Sequence, residues 1–311
     1  MSGRILVLGA AGRIGYAAAE AFRDAGWTVV ALVRPGAKLR APRGTDVVEV
    51  DAFDRLAVAE AAQHTDIVLH ALNPPFTKWA QFALPLAYAA INAAEANGAT
   101  LMLPGNLYNY GADLPAVIDE TTPMRPSARK GMLRVTMEQR MREAAERGMR
   151  TVVLRAGDFF GGGRGSWLDL VLAKEIGAGV VTYPGPPEVV HEWAYLPDLV
   201  AALVRLAAVR ERLAMFESFG FPGHAVTGRA FVAALEQAVG HALTVKPMSW
   251  WLIHALRPIV PMSRELSEMA YLWQRPHRIA GDKLKAAIGE VPHTRLDVAV
   301  ARALKELGAI A

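Results

Sequence analysis

Three charged side chains stand four residues apart in the stretch RPSARKGMLRVTME, residues 125–138. They are Lys130, Arg134 and Glu138, and at this spacing they share one face of a helix. Reduction of a carbonyl by hydride needs a proton donor beside the developing alkoxide. Lysine has a free pKa of about 10.4 and can donate if burial or a permanent cation such as Arg134 lowers that pKa. Lys130 is therefore a candidate proton donor, although both cations also suit the ordinary polar face of an amphipathic helix.

A second pattern is the glycine loop GAAGRIG, with glycines at 9, 12 and 15. It lies between an apolar run at 4–9 and a helical pattern at 13–26. A tight turn and a close approach of backbone to pyrophosphate need residues without a Cβ, and the following helix offers free N–H groups. The loop predicts a bound dinucleotide; the alternative is a tight turn that binds nothing.

The residues at the end of the second predicted strand indicate whether the bound dinucleotide is NAD(H) or NADP(H). A ribose without a 2′-phosphate is usually held there by an acid, but the strand TVVALVR ends in Arg34. Arg34 and Arg13 can both pair with a 2′-phosphate, which favours NADP(H). Both arginines can equally be solvent-facing charges. Asp51, at the end of the third strand, is placed to contact the adenine or to cap the next helix.

Strand and helix patterns alternate through the first half of the chain, which is typical of a parallel sheet covered on both faces. We expect an α/β, doubly wound dinucleotide-binding domain over 1–160, with about 195–215 packed back on it. A smaller, mostly helical substrate lobe is expected over 161–194 and 216–311. The predicted strands cover 4–9, 28–34, 46–51, 66–72, 100–104, 150–157 and 216–221, and the predicted helices 13–26, 54–64, 77–97 with a kink at Pro85, 127–147 and one from about 196.

The composition excludes several classes of function. With 34 basic and 30 acidic side chains among 311 residues, the net charge of +4 is too weak to indicate nucleic acid. The absence of cysteine removes thiol and disulfide chemistry and fits a cytoplasmic protein. The apolar stretch 249–262 is too short and too interrupted to span a bilayer, so we expect a buried or interface helix and no membrane partner. The histidines have no metal-ligand spacing, and no metal is expected.

Several motifs together resemble the extended and atypical short-chain dehydrogenase/reductases. They are the GxxGxxG loop, Asp51-Ala52, Asn73 after the fourth strand, LPGNLYNYG (103–111), DETTPMRPS (119–127), VVLRAGDFFGGG (152–163) and HEWAYLPDLVAAL (191–203). The resemblance covers nearly the whole chain and implies a Rossmann fold. It implies a cofactor site made by Gly9, Ala11, Gly12, Arg13, Ile14, Gly15, Arg34, Asp51, Ala52, Ala71, Leu72, Asn73, Lys130, Ala156, Asp158 and Phe159.

The usual catalytic residues of that family are missing. Its Tyr-x-x-x-Lys falls on Lys130 and Arg134, and its serine falls on Asn106. The resemblance is thus to isoflavone-reductase-like and NmrA-like members, some of which use a lysine and some of which only sense the cofactor. In this arrangement Arg134 can hydrogen-bond the nicotinamide ribose, Glu138 can pair back to Arg134, and the amide of Asn106 can orient a substrate oxygen. Tyr108 is the rival proton donor to Lys130.

These observations predict an NADPH-dependent reductase of a small carbonyl or conjugated compound. A non-catalytic NADP(H) sensor is the alternative, and a nucleotide-sugar epimerase or dehydratase is a weaker one. Aromatic residues of the substrate lobe suggest a hydrophobic substrate if they line the cleft. The helices at 77–97 and 127–147 resemble the pair that forms a homodimer interface in relatives. The aromatic candidates are Phe159, Phe160, Trp167, Trp193, Tyr195, Trp250 and Trp251.

Overall fold

A computed structural model describes residues 3–310, so residues 1, 2 and 311 of the predicted domains lie outside it. The strands are β1 (Arg4–Leu8), β2 (Thr28–Val33), β3 (Asp46–Glu49), β4 (Ile67–His70), β5 (Thr100–Gly105), β6 (Val117–Ile118), β7 (Thr151–Arg155), β8 (Asp158–Phe160), β9 (Val180–Tyr183), β10 (Val190–Tyr195), β11 (Phe216–Gly220), β12 (His224–Thr227), β13 (Thr244–Pro247) and β14 (Arg278–Ile279).

The helices alternate with the strands in the first half and dominate the last hundred residues. They are α1 (Arg13–Asp24), α2 (Arg55–Ala61), α3 (Trp79–Asn97), α4 (Arg129–Glu146), α5 (Leu196–Val209), α6 (Gly228–Val239), α7 (Trp250–Ala255), α8 (Pro261–Met269), α9 (Tyr271–Gln274), α10 (Asp282–Ile288) and α11 (Leu296–Glu306). The predicted helices agree with these bounds to within a few residues, and α3 continues through Pro85.

The main sheet has seven parallel strands in the order β11-β7-β5-β4-β1-β2-β3. One face is covered by α1 and α5, and the other by α2, α3 and α4. The doubly wound parallel sheet is therefore confirmed. The strand order reverses beside β1, so the connections leaving β1 and β4 diverge and open a crevice at the carboxyl edge of the sheet.

The predicted boundary at residue 216 is wrong by one strand. β11 pairs in parallel with β7 and forms the edge of the main sheet. The helix α10 also belongs there, since its Leu284 lies in the core cluster beneath the sheet. The sequence did not reveal this because the edge position of β11 depends on a pairing with a strand more than sixty residues earlier.

The second lobe is built on three small sheets and the remaining helices. Three of the aromatic residues considered for the cleft, Phe160, Trp193 and Tyr195, are buried in the core of this lobe. Edge-to-face packing of Phe160 on Trp193, at 6.2 Å between ring centroids, contributes to that core. These three rings therefore stabilise the lobe and do not line a substrate cleft.

The apolar stretch at 249–262 is not a buried helix, contrary to one of the two expectations. α7 ends at Ala255 and α8 begins at Pro261, because Pro258 and Pro261 interrupt the helical hydrogen bonds. No residue of α7 is buried, and Trp251 is 74% exposed. The stretch forms a short helical hairpin on the outside of the second lobe.

A buried ion pair joins three elements at the carboxyl edge of the sheet. Arg155 at the end of β7 donates two hydrogen bonds to Glu138 of α4, at 3.1 and 2.7 Å, and one to the carbonyl of Asn106 at 2.9 Å. Asn109 donates to the same carboxylate at 2.9 Å. The expected pairing of Glu138 with Arg134 is therefore wrong, because Arg155 offers the carboxylate a bidentate partner across the helix–sheet contact.

We predict that Glu138→Gln lowers the free energy of unfolding by about 3–5 kcal/mol, because it leaves the buried Arg155 charge without its counterion. Urea denaturation followed by circular dichroism measures the change. The matched control is Glu143→Gln, which removes an exposed carboxylate paired with Arg140 on the same helix and should have no measurable effect. Equal stabilities of the two variants would contradict the assigned role of the buried pair.

Candidate active site

The glycine loop forms a cradle for phosphate at the amino end of α1. Gly9 has φ of +84°, which disfavours any residue with a Cβ, and Gly12 donates to the carbonyl of Gly9 at 2.9 Å. A Cβ on Gly15 would lie 2.2 Å from the oxygen of Gly9, so the helix packs against the loop only without one. Gly12 caps α1 with no side-chain hydrogen bond, which leaves the first N–H groups available to an anion.

The other residues predicted to bind the cofactor also gather at the carboxyl edge of the sheet. A Cβ on Gly9 would meet the carbonyl of Ala71 at 3.1 Å, so the end of β4 lies against the glycine loop. Asp51 is exposed and accepts from Phe53 N, whereas Asp54 caps α2. The capping role considered for Asp51 is therefore excluded. The remaining predicted residues follow the ends of strands or open α1: Ala11, Ile14, Ala52, Leu72, Asn73, Ala156, Asp158 and Phe159.

Arg13 and Arg34, which were both predicted to lie near the 2′-phosphate, have different surroundings in the structure. Arg13 donates to the carbonyls of Gly161 at 3.1 Å and Phe159 at 3.4 Å, and burial lowers its pKa. Its guanidinium is thus directed to the segment after β8. Arg34 is exposed at the end of β2, in a loop that also exposes Lys38 and Arg40. The loop that contains Arg34, Lys38 and Arg40 therefore makes the surface at the end of β2 cationic.

Arg134 lies in a pocket of aromatic and unpaired polar groups. Its guanidinium carbon is 5.1 Å from the ring centroid of Trp79, and that ring is 6.1 Å from the ring of Tyr108. Within residues 3–310 its buried Nε has no hydrogen-bond partner, nor do Nε1 of Trp79 and Nδ1 of the buried His70. Burial, with Arg134 as the lesser cause, lowers the pKa of His70 to about 3, so its ring is neutral. A buried donor without a hydrogen-bond acceptor costs free energy, and the oxygens of a ribose or an amide would supply such acceptors.

Lys130 is almost fully buried, at 1% exposure, at the start of α4. Its ammonium forms an ion pair with Glu265 of α8 and lies 3.9 Å from the ring centroid of Phe76. Arg129 donates to the same Glu265 at 3.1 Å and to Glu268 at 3.0 Å. Two carboxylates of the second lobe therefore close over the start of α4.

The pKa of Lys130 is lowered by burial, as expected, but the expected contribution of Arg134 is wrong. Burial lowers the pKa of Lys130, Glu265 and Glu268 oppose that effect, and the cation that adds to it is Arg129 rather than Arg134. Arg134, one turn further along the helix, is turned toward Trp79 instead. The sequence could not indicate Glu265, because it lies 135 residues away in another lobe.

Asn106 and Tyr108 occupy the turn that follows β5. The Asn106 side-chain oxygen accepts from the backbone N–H of Tyr108 at 3.1 Å, which leaves its amide NH2 group to orient a ligand. Burial raises the pKa of the Tyr108 hydroxyl well above its usual range, and Arg134 partly offsets this. A hydroxyl that keeps its proton so firmly is a hydrogen-bond donor but a weak acid.

One pair that the sequence did not single out for chemistry lies in the same cleft. His191 Nε2 is 3.0 Å from Oδ2 of Asp158, and its Nδ1 is 3.3 Å from the carbonyl of Leu272. A carbonyl only accepts, so Nδ1 is the donor to Leu272 and Nε2 lies within hydrogen-bond distance of the Asp158 carboxylate. The ring stacks on Trp273 at 4.1 Å, which holds its plane. The cleft is lined by Asn106, Leu107, Tyr108, Ala156, Gly157, Asp158, His191, Leu272 and His277.

Among residues 3–310, no three histidine, aspartate or glutamate side chains are grouped in a way that would hold a metal ion. In the same part of the chain, no helix is long and apolar enough to cross a membrane.

The sheet order, with the glycine cradle beside the switch point, is that of a dinucleotide-binding Rossmann fold. The family model "NAD dependent epimerase/dehydratase family" matches residues 5–217, and the chain belongs to that family. The resemblance to short-chain dehydrogenase/reductases is thereby confirmed.

Relatives include both a reductase and nucleotide-sugar enzymes. A 3-diazoavenalumate denitrifying reductase from a Streptomyces species is 27% identical over 295 residues, which are 88% of this chain and 96% of that protein. Two similar structures are MoeE5 in complex with UDP-glucose and NAD, at 20% identity, and the UDP-glucose 4-epimerase from Brucella ovis in complex with NAD, at 16%. Each has a TM-score of 0.78, with 98% of both chains covered, and these two likenesses concern the fold.

The family and the reductase relative support an oxidoreductase-type function with a nicotinamide dinucleotide. This chain's residues fit such a group. The glycine cradle and the free N–H groups of α1 suit a phosphate, and the unpartnered Nε of Arg134 is a donor that suits a ribose oxygen.

We predict that Glu265→Gln lowers the pKa of Lys130, because it removes the carboxylate that opposes the effect of burial and of Arg129. Nitrogen-detected NMR of ¹⁵N-lysine-labelled protein, titrated through the alkaline range, measures this pKa directly. Glu268→Gln is the control: that carboxylate acts on Lys130 only through space, so the decrease should be smaller. An unchanged Lys130 titration in Glu265→Gln would show that the ion pair does not control this lysine.

Proposed function

We propose that the protein is an NADPH-dependent reductase of a small carbonyl or conjugated compound, in which Lys130 replaces the usual tyrosine as proton donor. The observation that carries this proposal is the buried ammonium of Lys130, one helical turn before Arg134 at the cofactor edge of the sheet. A bound NADPH supplies hydride. The residues of the chain have to supply the proton, the orientation and the exclusion of water.

The roles follow from the contacts. Arg134 holds the ribose through its unpartnered Nε, which leaves Lys130 to face the substrate oxygen. Glu265 stabilises the ammonium form of Lys130, so that a proton is present when the oxygen becomes charged. The amide of Asn106 polarises the same oxygen as a neutral donor. Tyr108 and the Asp158–His191 pair are the rival donors in the cleft.

The choice of NADPH rests on charge at the end of β2. Arg34 is exposed there beside Lys38 and Arg40, and no acid follows the strand to accept from a ribose hydroxyl. This cationic loop suits a 2′-phosphate. The two structural neighbours cited contain NAD, according to their descriptions, so the preference is a property proposed for this chain alone.

A second substrate class is favoured by the missing tyrosine together with the named relative. In the reductive loss of a diazonium group, hydride forms a new C–H bond while the C–N bond breaks and N₂ leaves with its electron pair. No alkoxide forms, so the active site needs no proton donor. For such a substrate Lys130 and Glu265 position the ligand instead.

The remaining alternatives are weaker. A nucleotide-sugar epimerase or dehydratase depends on the Ser/Tyr/Lys set that is absent here, and a cofactor sensor would bind NADPH without turnover. The homodimer through α3 and α4 and the cytoplasmic location stay predictions.

We expect the protein to bind NADPH at least about tenfold more tightly than NADH, since one charge-assisted contact contributes about 1.5–3 kcal/mol and 1.4 kcal/mol is tenfold. Titration of nicotinamide fluorescence measures both dissociation constants. Arg34→Asp should reduce or reverse the preference. Arg212→Asp is the control, because Arg212 is exposed before β11, at the opposite edge of the sheet. Equal dissociation constants in the unmodified protein would rule out the proposed role of Arg34.

We expect Lys130→Met to lower turnover of carbonyl substrates by about 10²–10⁴-fold while NADPH still binds, because the apolar stem stays and the donor is lost. Arg129→Met is the comparison variant: it removes another cation bound to Glu265, beside Lys130 and Arg264, and should lower turnover far less than Lys130→Met. Arg134→Met should weaken NADPH binding as well as turnover.

The same variants separate the candidate functions. Carbonyl turnover that persists in Lys130→Met would remove Lys130 as donor, and Tyr108→Phe would be the next variant to measure. Loss of carbonyl turnover with retained reduction of an aryl diazonium salt would support the second substrate class. Tight NADPH binding with no turnover of either substrate class would support the sensor.

A further inference from the structure

The helical hairpin on the outside of the second lobe exposes an unusual amount of apolar surface. It consists of α7, the connection 256–260 and the first turn of α8. Trp251 is 74% exposed and Ile259 78%, although large apolar side chains are normally the most buried. Three further apolar side chains between 251 and 262 are also exposed: Leu252, Val260 and Met262. Contiguous exposed apolar surface of this kind marks an interaction site.

The orientation of α7 explains why this surface is directed outward. Trp250 is half-buried, donates from Nε1 to the carbonyl of Pro184 at 2.5 Å and packs against the core of the lobe. Helical periodicity then places Trp251, Leu252 and Ala255 away from that anchor. The hairpin is attached to the lobe along one side, and its other side and its tip are free of packing within residues 3–310.

The charge of the same region is one-sided. No aspartate or glutamate occurs between Glu236 and Glu265, whereas Lys246, Arg257 and Arg264 lie there and are exposed. Arg257 is in the connection at the tip, next to Ile259. A cationic margin around exposed tryptophan, leucine and isoleucine is the arrangement of segments that lie in the interface of an anionic bilayer.

Charge also argues against a second copy of the chain as the occupant. In a two-fold contact the same patch meets itself, so Lys246 and Arg257 of one copy would face the same cations of the other. A bilayer containing anionic phospholipid accepts both the apolar tip and its cationic margin. We propose that the hairpin 250–262 docks the protein on the surface of anionic phospholipid membranes.

The position of the hairpin links the proposed surface to the cleft. α8 carries Met262 at its exposed start, and one turn later its buried Glu265 pairs with Lys130. A docked hairpin would thus place the membrane next to the element that closes over Lys130. The docking itself does not depend on the proposed reductase function, and its test needs no substrate.

The experiment is vesicle flotation of the full-length protein with tryptophan emission as a second readout. Vesicles rich in phosphatidylglycerol should bind the protein and shift its emission to shorter wavelength, and phosphatidylcholine vesicles should bind it at least about tenfold more weakly. Raising the salt from about 0.1 to about 1 M should weaken binding, since the Debye length falls from about 10 to about 3 Å.

Two kinds of variant test the two parts of the surface. Trp251→Ser with Ile259→Ser should reduce binding about tenfold or more, because each side chain loses the gain from apolar burial. Lys246→Glu with Arg257→Glu changes only exposed charges and should remove the preference for anionic vesicles. Leu56→Ser is the matched control, because Leu56 is an apolar residue of α2 that is 82% exposed outside the hairpin.

Three outcomes would overturn the proposal: no flotation with anionic vesicles, binding that the hairpin variants leave unchanged, or a dimer in sedimentation that Trp251→Ser with Ile259→Ser disrupts while vesicles do not bind. The last result would assign the surface to a second copy of the chain.

Discussion

The buried ion pair between Glu138 and Arg155 is the constraint on which the arrangement of the cleft depends. Both charges are almost completely removed from water, at 3% and 2% exposure. Such a pair is tolerated only when its hydrogen bonds are complete, and here Asn109 and the Asn106 carbonyl complete them. The geometry that satisfies the pair fixes α4 against the end of β7 and against the turn after β5.

A second ion pair, between Lys130 and Glu265, depends on the first. Because the Glu138–Arg155 pair fixes α4 against β7, the first turn of α4 lies at the boundary between the sheet domain and the second lobe. There Glu265 and Glu268 of α8 bind Arg129 and Lys130. The two lobes are thus connected by ion pairs at the start of α4, and Glu265 of the second lobe opposes the effect of burial on the pKa of Lys130.

The proposed lysine donor differs from a tyrosine donor in its electrostatics. A tyrosine donor is neutral before the reaction, whereas the Lys130 ammonium carries its charge beforehand and is balanced by Glu265. His70 is neutral and Tyr108 keeps its proton firmly, so neither adds charge beside Arg134. A substrate that becomes negative during reduction, or one oriented by its own charge, suits these surroundings.

The glycine loop, the alternation of strands and helices and the four-residue spacing of Lys130, Arg134 and Glu138 were determined by the sequence alone. These features are local. Each of them, whether a turn without Cβ atoms, a hydrophobic period or a spacing of four residues, depends only on residues that are close in sequence. The doubly wound sheet followed from them and is confirmed. The order of the residues was also enough to place Asn106, Tyr108 and Asp158 at strand ends.

Only the tertiary structure decided the partners of those residues. Glu138 has Arg155 rather than Arg134, Lys130 has Glu265, and His191 has Asp158, and each partner is reached across the fold. The tertiary structure also decided the edge position of β11 and the exposure of Trp251, because strand pairing and burial depend on which surfaces meet. Ion pairs and burial are properties of distance in space, and the sequence specifies that distance only through the whole fold.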